Sequence, residues 1–314
     1  MNLHHDIKLF SDTLRATSQH LDIKLGFVEK DYWITLVLSR LATSKYVSES
    51  VFKGGTSLSK GFNLIERFSE DVDIAIISDN AKTGNEIKTI IRTIEKEITT
   101  DLAEIQMEGV TSKGSRFRKS VFEYVSTDKG NTNNKLIVEI NSFANPFPFQ
   151  RLTIQSMVYD FLIQTGNGKY IDQFNLHPCE VNILNKEQTL LEKLVSLIRF
   201  SFKENAVESI SEKIRHFYDL YFLASNPECA EFIASDLFKK QFDRILQHDR
   251  AMFEEPQGWQ NKSVAESPLL TEFTTIWKQL NGRYQTELSA FAYRPIPDEK
   301  DISAVFMDLI KRIK

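Results

Sequence analysis

Two runs decide the fold: Phe52-Lys53-Gly54-Gly55-Thr56-Ser57-Leu58-Ser59-Lys60, and then Arg67-Phe68-Ser69-Glu70-Asp71-Val72-Asp73-Ile74-Ala75-Ile76-Ile77. The second run is rich in β-branched residues from Val72 onward and is bounded by polar Ser78-Asp79-Asn80, which predicts a strand. Residues two apart on a strand share a face. Asp71 and Asp73 therefore project side by side, while Val72, Ile74 and Ile76 face the core. Unpaired, two such carboxylates repel and one tends to hold a proton; a divalent cation between them removes the repulsion. In the first run, glycines let backbone amides approach an anion, and a helix N-terminus aims further amides at it. Leu58, Phe62 and Ile65 at i, i+4 and i+7 predict a short helix after Ser57, with Thr56 and Ser57 adding hydroxyl donors for phosphate oxygens. Taken singly, each feature has an ordinary explanation: a tight turn with a Ser/Thr helix cap, and a solvated strand end. Lys60-Gly61 also fails the Walker A spacing. A Gly-Gly-Thr-Ser turn, one short helix and then Asp-x-Asp opening an apolar strand is a much rarer combination.

Outward from this centre, residues 6 to 45 read as helices, with Leu14, Leu21, Leu25 and Val28 at helical spacing. Residues 84 to 106 carry a stripe of Ile87, Ile90, Ile91, Ile94 and Ile98, again helical. Strands are predicted over 120 to 125 and 136 to 142, separated by a loop rich in Gly, Asn and Thr, then a hairpin or irregular segment to about residue 185. Beyond it the pattern is helical, apart from a loop around residues 256 to 268. The expected fold is α+β: a mixed domain over residues 1 to 165 with a small sheet and helices, then a mostly helical domain over 166 to 314. A third metal-binding acid is expected if two metals are used. Glu139 supplies it, on the strand face opposite Leu136, Val138 and Ile140; Glu123 competes for the role, and a solvated edge is the bland account of either.

Composition narrows the class. With 41% hydrophobic and 26% charged residues over 314 positions, the chain is that of a soluble globular protein able to bury a core without staples. A net charge of −4 argues against a non-specific nucleic-acid coat protein, though not against a local basic groove. Cys179 and Cys229 match no metal-binding spacing, no apolar run approaches a membrane span, and residues 1 to 10 lack the apolar core of a signal peptide. A cytoplasmic protein with no membrane partner is expected.

Farther along, Leu190, Leu191, Leu194, Leu197 and Ile198 form the buried stripe of a helix from which Lys193 projects, able to reach a triphosphate as a point charge or to sit solvated. Arg215 and Asp219 are spaced i, i+4, as in a surface ion pair. The apolar bulk of Phe217, Tyr218, Leu220, Tyr221 and Phe222 around them would make such a pair costly, which favours a positioning role for Asp219. His216 reads as a structural histidine, with ligand or base as the alternative. Lys113, Arg116, Arg118 and Lys119 form a positive run, read either as phosphate-backbone contacts or as a solvated hairpin edge. The 23 phenylalanines are read mostly as core.

The ordered set Gly54-Gly55-Thr56-Ser57 with Asp71-Val72-Asp73 resembles the polymerase β-type nucleotidyltransferase superfamily. The fuller runs quoted above, with Glu29-Lys30-Asp31-Tyr32-Trp33 upstream and Thr189 to Arg199 and Arg215 to Leu220 downstream, resemble the AbiEii/AbiGii abortive-infection toxin family. The resemblance implies a polymerase β-like nucleotidyltransferase domain and Mg²⁺-dependent transfer of a nucleoside monophosphate from an NTP to an acceptor hydroxyl. Asp71, Asp73 and Glu139 would hold the metal. Lys53, Gly54, Gly55, Thr56, Ser57, Arg67, Ser69 and Lys193 would bind the nucleotide, and Lys193 and Asp219 would join the acids as catalytic residues. It further implies a tRNA 3′ end as acceptor and a separately encoded antitoxin as partner. Protein- and small-molecule-modifying enzymes share the superfamily, and a metal-dependent nuclease, a kinase-like enzyme and a silent binding protein remain as rivals.

Overall fold

The computed structural model describes residues 1–69, 71–78, 82–128 and 134–314. Glu70, residues 79–81 and residues 129–133 of the Gly/Asn/Thr loop lie outside them. Two units result: Met1–Phe62 with Phe68–Leu184, and Asn63–Arg67 with Asn185–Lys314. The division expected at residue 165 differs from this by Asn63–Arg67, which falls in the second unit, and by the segment 166–184, whose strand pairs into the sheet of the first.

In the first unit the elements are α1 (Ile7–Leu21), α2 (Leu25–Thr43), β1 (Ser50–Lys53), α3 (Gly54–Lys60), β2 (Asp71–Ile76), α4 (Gly84–Ile98), β3 (Ala103–Ile105), β4 (Ser112–Lys113), β5 (Phe117–Glu123), β6 (Lys135–Asn141), β7 (Phe149–Ile154), α5 (Met157–Gln164), α6 (Lys169–Phe174) and β8 (Cys179–Leu184). Strand order across the sheet is β3-β5-β6-β2-β1-β8-β7, with β4 beside β5. β2 runs parallel to β6 and antiparallel to β1, so the sheet is mixed. One face buries Val72, Ile74, Ile76, Val138 and Ile140 against α2 and the isoleucine stripe of α4. Register is thereby fixed, because a one-residue slip would turn these residues outward.

Local signals set the element ends. Asp6 caps α1 by accepting from Leu9 N at 3.0 Å, and Asp22 ends the helix in the left-handed region. A capping box between Thr83 and Glu86 starts α4. That helix stops at Ile98 rather than running to 106; Thr99 turns its hydroxyl back onto Glu95 O at 2.6 Å, and the chain then re-enters as β3. The glycine turn is likewise shorter than expected: Gly54 is itself the first residue of α3, which ends at Lys60, leaving Phe62 and Ile65 outside any helix.

The block at residues 29 to 33 has a structural account. Glu29 is buried and accepts from Thr127 N at 2.7 Å and Ser126 Oγ at 2.5 Å. Buried Asp31 accepts from Lys60 Nζ and Met157 N, both at 2.7 Å. Two acids inside a helix thus find donors on other elements, which is the condition for burying charge.

The second unit is helical: α7 (Lys186–Ser201), α8 (Ala206–Ser211), α9 (Ile214–Ser225), α10 (Pro227–Ala234), α11 (Asp236–Met252), α12 (Pro268–Thr271), α13 (Phe273–Phe291) and α14 (Glu299–Ile313). Phe217 on α9 packs against Trp277 and Phe306, with ring centroids 5.1 and 4.7 Å away. Among the described residues no helix is long and apolar enough to cross a membrane.

Candidate functional site

Strand register assembles the carboxylates. Lys53 on β1 pairs with Asp73 on β2, Asp73 with Glu139 on β6, and Glu139 with Lys119 on β5. Register partners share a sheet face, so Lys53, Asp73, Glu139 and Lys119 form one row of side chains. Asp71 lies on the same face two residues before Asp73. The rival acid Glu123 is exposed at the end of β5, opposite Lys135, and is not in the row.

The electrostatics follow from this crowding. Asp73 is pushed up to about 8 by burial, then by the charges of Glu139 and Asp71, with Lys53 and Lys119 only partly offsetting them. Burial works against the Lys119 ammonium, yet Asp71, Glu139 and Asp73 outweigh it and raise its pKa. Lys119 Nζ lies 3.5 Å from Glu139 Oε2. An all-oxygen set of carboxylates carrying more negative charge than its neighbours neutralise suits a hard divalent cation such as Mg²⁺. One Glu139 oxygen is turned to Lys119. The chemistry of the donor set fits.

Gly54 closes one side of the row. Its φ is +80°, and a Cβ built there would overlap Asp73 Oδ2, so only glycine permits the carboxylate's position. The hydroxyls next to it hold the turn together: Thr56 Oγ1 donates to Asp71 O at 2.6 Å, and Ser57 Oγ donates to Gly54 O at 2.8 Å. Both side chains are buried. What the turn can offer an anion is therefore main-chain N–H, with Gly55 following in the same buried turn. Ser69 is partly buried in the lead-in to β2, and Phe68 before it stacks on Phe27 with ring centroids 4.4 Å apart.

In the second unit, Asp219 is fully buried and takes a two-pronged ion pair from Arg67, Nε to Oδ1 at 2.7 Å and Nη2 to Oδ2 at 2.6 Å. Lys193 Nζ joins it, 2.8 Å from Oδ2. Burial alone would raise the Asp219 pKa; the charges of Arg67 and Lys193 and their hydrogen bonds hold it well below the usual carboxylate range. Arg215, expected beside Asp219, instead points to Glu287 at 3.5 Å. Asp219 faces the interior while Arg215 faces α13, and desolvation is tolerable there because two cations answer one carboxylate. His216 is kept neutral, its pKa depressed by burial and by Lys193 and Lys213.

The positive run of β4 and β5 is largely neutralised. Lys113 pairs with Glu104 at 2.5 Å, Arg118 with Glu95 at 2.6 Å and Lys119 with Glu139. Glu95 also accepts from Ser120 Oγ, so Arg118 belongs to a buried network rather than to a free basic edge. Lys119 is the residue whose role the sequence reading missed. Its position opposite Glu139 depends on how β5 and β6 register across their loop, which composition does not disclose.

The family whose sequence model matches the chain, over residues 36–304, is described as "Nucleotidyl transferase AbiEii toxin, Type IV TA system". No curated protein matches. Among solved structures the chain is similar to JHP933 from Helicobacter pylori, at 15% identity and a TM-score of 0.40, covering 85% of this chain and 99% of that one. It is also similar to MenT4, nucleotidyltransferase toxin Rv2826c from Mycobacterium tuberculosis H37Rv, at 16% identity and 0.44, covering 96% and 99%.

Proposed function

This chain belongs to the AbiEii family of nucleotidyltransferase toxins, and from that premise we propose that it moves a nucleoside monophosphate from an NTP to the 3′ end of a tRNA, with Mg²⁺ held by Asp71, Asp73 and Glu139. The observation that carries the reading is the row of side chains across β1, β2, β6 and β5, with the Asp73 carboxylate pressed against Gly54. Asp71 and Asp73 bind and orient the metal–nucleotide, and main-chain amides of the turn at Gly54, Gly55, Thr56 and Ser57 receive phosphate oxygens beside Lys53. When bound, the cation supplies charge neutralisation and a lowered pKa at the acceptor hydroxyl. Glu139 takes the hydroxyl proton as the acceptor oxygen attacks the α-phosphorus in line. The bond from that phosphorus to the β-phosphate bridging oxygen breaks, and pyrophosphate leaves.

For Lys193 and Asp219 the proposal is narrower: Asp219 fixes the Lys193 ammonium in place, ready to act on phosphate as a point charge. Arg67 shares that carboxylate, so its part is to hold Asp219. Ser69 lies in the segment that enters β2, where we place a nucleotide contact. A type IV toxin–antitoxin family implies an antitoxin partner, and the proposal sets the protein in the cytoplasm, where tRNA is.

The test is incubation of the purified protein with each α-labelled NTP and total tRNA. Label on RNA that is lost in Asp71→Ala and Asp73→Ala supports the reading. Label on the protein alone, transfer of γ-label, or RNA cleavage without NTP would each replace it.

A further inference from the structure

We propose that His4, His5 and Asp101 form a second metal site on the first unit, separate from the carboxylate row, for a borderline divalent cation such as Zn²⁺. One ligand atom from each of the three residues lies within 4.8 Å of the other two, and among the described residues no other group of three such side chains meets that spacing. The two imidazoles stand edge to face with centroids 4.5 Å apart. They come from the short turn Leu3–His5, while Asp101 comes from the loop between α4 and β3, so the site joins two distant parts of the chain.

His4 is prepared as a ligand. Its Nδ1 lies 2.7 Å from the Tyr32 hydroxyl, which also receives the His4 main-chain N–H at 3.3 Å. The nitrogen left for a ligand is Nε2, and that atom is shielded from solvent with no hydrogen-bond partner. A ring nitrogen fixed by an outer oxygen, with the other nitrogen directed inward, is the arrangement in which histidines ligate metals.

Asp101 is held in the left-handed region, φ 70°, and gives Oδ2 to Arg40 Nη2 at 2.9 Å, leaving Oδ1. Arg40 is itself tied to Ile98 O at 3.3 Å and to Thr100 O, so the carboxylate is anchored from behind. The same guanidinium decides the class of ion. One carboxylate already shared with an arginine is a poor site for Mg²⁺ or Ca²⁺, which need several oxygen ligands, whereas two imidazoles suit Zn²⁺. His5 and Asp101 are exposed, so a fourth position stays open to water.

The experiment uses the full chain without a histidine tag, stripped with chelator and titrated with Zn²⁺ by calorimetry, with Co²⁺ absorption as a second readout. One Zn²⁺ per chain, a raised melting temperature and an imidazole-type Co²⁺ spectrum are expected. His5→Ala and Asp101→Asn should each weaken binding by at least the roughly tenfold that loss of an outer partner already costs. His5 is exposed and Asn tolerates the left-handed backbone, so both variants should fold, as circular dichroism will check. Asp73→Asn should leave this binding unchanged. No stoichiometric Zn²⁺, binding untouched by both variants, or binding lost in Asp73→Asn would each overturn the proposal.

Discussion

Lys119 Nζ stands 3.5 Å from Glu139 Oε2, on the strand next to it and in register with it. The ammonium answers a carboxylate that a cation shared with Asp73 would also draw on. Lys119→Met should therefore tighten Mg²⁺ binding, by less than about tenfold, since partly exposed pairs are worth about 1 kcal/mol or less. With chelator present, the same variant should melt at a lower temperature, because Asp71, Asp73 and Glu139 lose a compensating charge. Calorimetric titration and thermal melts read the two effects; weaker Mg²⁺ binding in the variant would show that Lys119 assists the cation rather than competes with it.

Asp73 gives a pH signature. Its folded pKa, about 8, lies above that of an unfolded aspartate. Between the two values the folded chain holds a proton that the unfolded chain has released, so this group's contribution falls as pH rises from about 4 to about 8. Melting temperature of the chelator-treated protein should thus decline across that window, and Asp73→Asn should flatten the slope. A slope unchanged in the variant would remove Asp73 as its source.

Gly54→Ala combines two costs. A left-handed backbone costs a non-glycine residue about 1–2 kcal/mol, and the new methyl overlaps Asp73 Oδ2. The variant should melt lower and lose nucleotide transfer while keeping its helical circular dichroism. Full transfer by Gly54→Ala would mean that the turn and Asp73 need not touch.

Asp219→Asn leaves Arg67 and Lys193 buried without their carboxylate. Breaking a buried ion pair from one side costs about 3–5 kcal/mol, measurable as a drop in urea midpoint. The folded-state pKa of Asp219 is depressed, so its contribution is present above the unfolded value and is lost only as pH falls through the lower folded one. The wild type's advantage over Asp219→Asn should accordingly hold steady above the ordinary aspartate value of about 4 and narrow below it; a gap that does not narrow in acid would remove Asp219 as its source.

Much of the first unit is legible because it rests on short-range patterning. Alternation around Asp71 and Asp73, the opposite face taken by Val72, Ile74 and Ile76, and the inward Leu136, Val138 and Ile140 all follow from a period of two. What is not legible is long-range partnering. Arg118 and Lys119 are neighbours in a basic run, yet one is drawn to Glu95 on α4 and the other to Glu139 on β6. Arg215 and Asp219 have the spacing of a helix pair, but Asp219 turns inward to Arg67. The last strand, Cys179–Leu184, lies in the segment read as a hairpin or irregular; its pairing is not legible because α5 and α6 separate it from its antiparallel partner β7 and its parallel neighbour β1 lies far back in sequence.

Arg67 and its carboxylate are 152 positions apart. At about 5–20 residues per second, the ribosome extends the chain for on the order of ten seconds after Arg67 is made before Asp219 exists. The innermost charge of the helical half therefore cannot be matched while the sheet is being synthesised, and the contact can form only after the last strand has been made. A fragment starting at residue 185 would inherit Asp219 and Lys193 without the guanidinium. Such a dissected half should be a poorer folder than its own helices would lead one to expect.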